Sequence, residues 1–227
     1  MHTDYSSNYG KTSKPKYFSC LNGRKKIHRE YAYAYLKQHN LLDKGVSTFV
    51  WKGISIDGYS TPEDITSHTV QPDNFYTVFD DTYYDIITET LVGNESGLDW
   101  WQEVFITEKV WRSIYYKRPF MVIGNMNTLK VLHDLGFKTF DKWFDESYDN
   151  ETIHHKRVDM VVSEINRYRD KSIDELKAIR EEMRETCVYN RNRFLEIIKD
   201  KYDYDGMGGS NNKKPLVEIF KEIYKTF

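Results

Sequence analysis

The chain has 227 residues, 33 Lys+Arg against 35 Asp+Glu, and a formal net charge of −2. That length allows one large domain or two small ones, and the balanced charge gives no overall pull toward nucleic acid or an anionic membrane. No run of about 18 apolar residues is present, so no membrane span is expected, and Met1 to Lys14 lack the apolar core of a secretion signal. Cys20 and Cys187 lie far apart without metal-type spacing, which points to free thiols in a reducing, cytoplasmic compartment. Aromatic residues make up 15%, with 18 Tyr; such a content serves stacking or sugar-facing surfaces, or more commonly a Tyr-rich core.

In chain order, residues 1–14 are polar and aperiodic, as expected of a disordered leader. Tyr17 to Leu21 reads as a buried strand ending at the Asn22-Gly23 turn. A helix is expected from about Lys25 to Gln38, with Ile27, Tyr31, Ala34 and Tyr35 on one face, and a second strand over Val46 to Trp51. Residues 52–75 read as an irregular excursion, Tyr84 to Glu89 as a third strand and residues 93–101 as a loop. A helix over about 107–117 and a fourth strand over Pro119 to Ile123 come next. Gly124-Asn125 turns the chain into a helix over Asn127 to Leu135, closed by Gly136 as a left-handed cap. Phe137 to Phe140 is expected as a fifth strand. Beyond it lie a helix over about 151–169, a capping box at Ser172 to Glu175 opening a long helix to about Lys199, a Gly-rich break at 206–209 and an amphipathic helix over Pro215 to Tyr224. The alternation implies βαβ units: an α/β, Rossmann-like parallel sheet over residues 15–150, with the helices of 151–227 packing on the same domain.

Ligands of such sheets bind at the carboxyl ends of the strands. Asn22, Glu89 and Thr107-Glu108-Lys109 all fall on that edge. Asn22 to Arg29 places a glycine and several cations at a strand-to-helix turn, a composition that suits a diphosphate and equally a basic surface turn. Glu108 and Lys109 open a helix, where a carboxylate can take sugar hydroxyls and an ammonium a phosphate; a solvated surface pair is the commoner origin of such a dipeptide. No Gly-x-Gly-x-x-Gly, Walker A lysine or Gly-x-Ser-x-Gly is present. Asp80-Asp81 reads as a turn former before a metal ligand. The histidines show no zinc spacing, and His154-His155 is expected on a solvated helix face. Trp100, Trp101 and Trp111 flank the Glu-Lys pair and suit packing better than base or sugar stacking.

The segment Phe105-Ile106-Thr107-Glu108-Lys109-Val110-Trp111-Arg112, followed by Arg118 to Gly124, resembles the donor-binding motif of the α-1,3-fucosyltransferases. It is closer still to the fucosyltransferase-like glycosyltransferases of large DNA viruses and phages. Leu129 to Phe140, ending Leu135-Gly136-Phe137-Lys138-Thr139-Phe140, and Phe144-Asp145-Glu146-Ser147-Tyr148-Asp149 are similar to the family's following segments. Leu21-Asn22-Gly23-Arg24 with Arg29 is similar to its phosphate segment, and Thr88-Glu89-Thr90 to the segment before the motif. The likeness spans about 17–200 and is most specific at 105–149. It implies the nucleotide-sugar half of a GT-B fold, a transferase using a nucleoside-diphosphate sugar as co-substrate, with neither metal nor cofactor. A glycan or a hydroxylated nucleobase would be the acceptor, in the host cytoplasm if the chain is viral. It assigns Glu108 to the ribose hydroxyls and Lys109 to the diphosphate. Asn22, Arg24, Arg29, Glu89 and Thr107 complete the expected donor site, with Arg24 or Arg29 adding charge at the phosphates. In the family the acceptor half and its catalytic base precede this half. Here about 14 residues precede the first strand, so the base is expected from the 52–82 segment, from another subunit of a homo- or hetero-oligomer, or from Asp and Glu near the donor edge. The alternative is a nucleotide-sugar-binding module that turns over only with another chain.

Overall fold

The computed structural model describes residues 16–54, 78, 82–90, 92 and 104–202. Within them lie four strands, β1 (Lys16–Asn22), β2 (Gly45–Phe49), β3 (Thr82–Thr88) and β4 (Phe120–Ile123). Six α-helices accompany them: α1 (Ile27–Gln38), α2 (Glu108–Tyr115), α3 (Thr128–Asp134), α4 (His154–Arg167), α5 (Ile173–Glu182) and α6 (Arg184–Tyr202). The strands form one sheet in the order β2-β1-β3-β4, and every pairing is parallel. Near-continuous burial along β1, β3 and β4 is what a parallel sheet covered on both faces requires. The α/β, Rossmann-like expectation therefore holds. No helix among the described residues is long and apolar enough to cross a membrane.

Period-two alternation sorts β3 between the two layers. Tyr84 meets Phe18, Phe144 and Tyr168 on the face covered by α4, against which α1 also packs. Asp85 points the other way, toward α2, and accepts hydrogen bonds from Ser113 Oγ at 2.8 Å, Ser19 Oγ at 2.6 Å and Arg118 Nη2 at 2.8 Å. On that face Trp111 of α2 stacks on Phe194 of α6 and α5 lies against β3.

Two expectations are corrected. Residues 137–140 form no strand, because side chains take the place of a neighbouring ladder. Asn190 Oδ1 accepts from Lys138 N at 2.8 Å and Asn190 Nδ2 donates to Lys138 O at 2.8 Å, while Glu146 Oε1 accepts from Phe140 N at 2.7 Å. Phe137 and Phe140 are buried against Trp111 and Phe120 instead. The long helix after Ser172 is two, divided at Met183, so that α5 can lie on β3 while α6 packs on α2. The capping box at Ser172 and Glu175 is formed as expected, with Glu175 N to Ser172 Oγ at 3.2 Å and Ser172 N to Glu175 Oε2 at 2.7 Å. Gly136 takes the left-handed conformation, φ 86°. The segments 206–209 and Pro215 to Tyr224 lie outside the described residues, as do Asp80, Asp81, Trp100 and Trp101.

Candidate functional site

The strand order reverses between β1 and β3: α1 leads from β1 outward to β2, and α2 leads from β3 outward to β4. At such a reversal the two following helices leave the sheet on opposite faces, and their loops part at the carboxyl edge. Here the edge is bounded by Asn22 to Lys26 after β1 and by Glu89 and Thr90 after β3, with the start of α2 beside them.

Thr107 is the N-cap of α2, extended at φ −103° and ψ 179°, with its Oγ1 accepting from Lys109 N at 3.4 Å. What fixes this cap is Glu89, fully buried at the end of β3. Its Oε1 accepts from Thr107 N at 2.9 Å, and its Oε2 accepts from Thr107 Oγ1 at 2.5 Å and from Thr90 N at 3.2 Å. Burial, opposed by the charge of Lys109 and the bonds from Thr107, holds the Glu89 carboxyl above the usual carboxylate range. The end of β4 closes over the same place: a Cβ added at Gly124 would lie 3.7 Å from Glu89 Cγ and 2.9 Å from Thr128 Oγ1.

Lys109 projects from the first turn of α2 with its side chain 13% exposed. Its Nζ donates to Glu108 Oε1 at 2.8 Å, Thr90 Oγ1 at 2.9 Å and Thr107 Oγ1 at 3.1 Å. An ammonium has three protons, so these partners use all of them. Burial pushes the Glu108 carboxyl up, but the charge and hydrogen bond of Lys109, with Arg112 adding, outweigh it and hold the group below the usual range. Glu108 therefore stays ionised beside an ammonium at the positive end of a helix, where an anion is stabilised.

The residues on the β1 side are more deeply committed. Asn22 is fully buried: Nδ2 donates to Cys20 O at 3.2 Å and Cys20 Sγ at 3.3 Å, and Oδ1 accepts from Thr88 Oγ1 at 2.5 Å. Arg29 is buried and donates to Arg24 O at 2.9 Å, Thr88 O at 3.3 Å and Glu89 O at 3.4 Å. These bonds lock the turn after β1 to the end of β3. Arg24 is exposed at that turn. The structure thus brings all seven expected residues to one edge, in two groups. Glu108, Lys109 and Arg24 reach solvent, whereas Asn22, Arg29, Glu89 and Thr107 lie beneath them as a buried frame.

Sequence reasoning missed two members of that frame. His28 Nε2 donates to Glu89 O at 2.8 Å, tying α1 to the end of β3; among the other cations of its segment its inward position carried no signal. Arg157 of α4 is buried and donates to Gly124 O at 2.7 Å, fixing the end of β4. Its spacing within the α4 apolar stripe, one residue before Val158, was the available sign. His154 is half-buried, with its ring 6.0 Å from that of His28, while His155 is exposed. The Phe144 to Asp149 segment serves the scaffold: Asp149 accepts from Leu129 N and Lys130 N at 2.9 and 3.1 Å, capping α3, and Tyr148 Oη accepts from Val122 N at 3.3 Å. Among the described residues no three His, Cys, Asp or Glu side chains group as metal ligands. No family model, curated protein or solved structure matches this chain.

Proposed function

We propose that this chain binds a nucleoside-diphosphate sugar at the carboxyl edge between β1 and β3 and acts as a metal-independent glycosyltransferase toward a hydroxyl acceptor, a glycan or a hydroxylated base. The single observation that carries this reading is the arrangement at the start of α2, where an ammonium and a carboxylate stand together at a helix N-terminus on the strand-order reversal. Lys109 and the first amides of α2 would meet the diphosphate, and Glu108 the ribose hydroxyls. In the transfer, the bond from the sugar C1 to the diphosphate oxygen breaks and a bond from C1 to the acceptor oxygen forms. The acceptor's proton passes to a base, and the charge gathering on the departing diphosphate is met by Lys109 and the helix end.

A second reading, a nucleotide-sugar-binding module that turns over only with another chain, is favoured by one observation. Both carboxylates beside Lys109 are committed, Glu89 to Thr107 and Glu108 to Lys109, so neither is aimed at an acceptor hydroxyl.

A thermal-shift panel of GDP, UDP, ADP and CDP tests the shared donor site. At a hundredfold excess over Kd the bound nucleotide stabilises the fold by about 2.7 kcal/mol, roughly 5–10 °C for a chain of this size. Lys109→Ala is expected to weaken that nucleotide by about 1.5–3 kcal/mol in calorimetry, the range of a charged hydrogen bond. No shift with any nucleotide, or unchanged affinity in Lys109→Ala, sinks both readings. Sugar transfer or nucleotide-sugar hydrolysis by the purified chain separates the first from the second.

A further inference from the structure

Neighbouring residues on a helix do not ordinarily face each other, yet Glu108 and Lys109 pair at 2.8 Å. The three protons of Lys109 are divided among Thr90 Oγ1, Thr107 Oγ1 and Glu108 Oε1. Two of these partners are anchored: Thr107 by both oxygens of Glu89, and Thr90 through its amide on Glu89 Oε2. Glu108 is the third, with its side chain 24% exposed and, among the described residues, no anchor beneath it of the kind that holds Thr107. An incoming anion that bonds to Lys109 Nζ must replace one of the three. The Thr107 hydroxyl is held by Glu89, and Thr90 is fixed through its amide on the same carboxylate; both hydroxyls are neutral, whereas the charge of Glu108 repels an incoming anion, so the carboxylate is the partner that leaves.

We infer that Glu108 is a built-in competitor for Lys109: it holds the position on the ammonium that a phosphate oxygen takes, and a phosphate that displaces it frees the Glu108 carboxylate for a diol. This deepens the donor reading and rests on it. The two halves of the ligand are coupled through one pair of side chains. A bare diphosphate must break the Glu108–Lys109 pair and gives the released carboxylate nothing in return. A nucleoside diphosphate breaks the same pair and offers its ribose hydroxyls to Glu108. The site therefore discriminates against free phosphate and pyrophosphate in favour of ligands that carry a diol beside the diphosphate.

The test is calorimetric titration of inorganic pyrophosphate, and of the nucleoside diphosphate picked out by the thermal-shift panel, into wild type, Glu108→Gln, Lys109→Ala and the Glu108→Gln/Lys109→Ala double variant. Glu185→Gln, at an exposed position of α6, serves as a control for net charge. Glu108→Gln is expected to bind pyrophosphate about fivefold tighter than wild type, the worth of a partly exposed ion pair, and to gain less, or lose, with the nucleoside diphosphate. In the Lys109→Ala background Glu108→Gln should change pyrophosphate affinity little, since the two act as one unit. Pyrophosphate affinity unmoved or weakened by Glu108→Gln overturns the inference, and so does an equal gain from Glu185→Gln or a gain that persists without Lys109. Glu108→Ala repeats the measurement should the Gln variant fold poorly. If nucleoside diphosphate binds through Lys109 while Glu108→Gln leaves pyrophosphate unchanged, the competition fails and the donor site stands. If Glu108→Gln gains pyrophosphate but no nucleoside diphosphate binds wild type, the donor reading fails and takes the diol half of the inference with it, while the competition for Lys109 stands.

Discussion

At the residue scale Thr107 matters most, because its one hydroxyl joins the frame to the exposed pair. It donates to Glu89 and accepts from Lys109 N and Nζ. Thr107→Val keeps the shape and removes that junction, leaving a buried carboxylate short of a donor. The lost cap costs about 1 kcal/mol and the under-bonded Glu89 about 1–3 kcal/mol more, so a total of about 2–4 kcal/mol is expected in urea unfolding. Thr107→Ser should fall within about 1 kcal/mol of wild type, since the hydroxyl survives. A Val variant as stable as the Ser variant would refute the junction. The helix start was legible, because Glu-Lys ahead of an apolar run opens a helix; that Thr107 caps it, and that Glu89 holds the cap, was not. Glu89 lies 18 residues before Thr107, and their meeting depends on how β3 and β4 pair. From the sequence Glu89 and Asn22 looked like edge residues available to a ligand; both are instead completely buried and committed, Asn22 to Cys20 and Thr88 and Glu89 to Thr107.

At the scale of elements, all four strands of the sheet were legible, most sharply where an apolar run is closed by a turn: β1 before Asn22-Gly23 and β4 before Gly124-Asn125. The fifth strand was misread because Phe-Lys-Thr-Phe alternates like a strand, whereas Asn190 and Glu146, far along the chain or in the next loop, supply its hydrogen bonds. The division at Met183 was equally hidden, since the local pattern stays helical and the kink answers to two different surfaces, β3 and α2. The sheet itself offers a sharp test at Gly45, the first residue of β2. A Cβ there would stand 2.4 Å from Cε2 of Phe18, a ring wholly buried against Tyr84. Phe18 cannot retreat without moving the aromatic cluster beneath it, so Gly45→Ala should cost about 1–3 kcal/mol by overpacking. Equilibrium unfolding measures this, and a neutral Gly45→Ala would mean that β2 is free to shift from β1.

At the scale of the whole molecule, stability should respond to pH through carboxyls of opposite tendency. Glu30, Glu108, Asp145 and Glu175 are held below their ordinary range, so what they contribute is present above the unfolded value and is lost as pH falls. Glu146 runs the other way. Burial, only partly offset by bonds from Thr139 and the Phe140 amide and reinforced by the charges of Asp141 and Asp149, pushes its carboxyl up from 4.5 to about 7. Between those values the folded chain binds a proton there that the unfolded chain releases. Its contribution is therefore full below 4.5 and is lost as pH rises through about 7. Glu146→Gln keeps an oxygen for the Phe140 amide and cannot ionise, so it removes this dependence while sparing the bond that replaces the fifth strand. The melting temperature of Glu146→Gln minus that of wild type should rise steadily between about pH 5 and pH 8, because only wild type must carry a half-buried charge at the higher pH. The carboxyls that titrate in both proteins cancel in that difference, including Glu89 and Asp149, which are raised as well. A difference that stays level across the window would mean that Glu146 ionises in the folded chain as freely as in the unfolded one, and that the 137–149 segment opens to water around it.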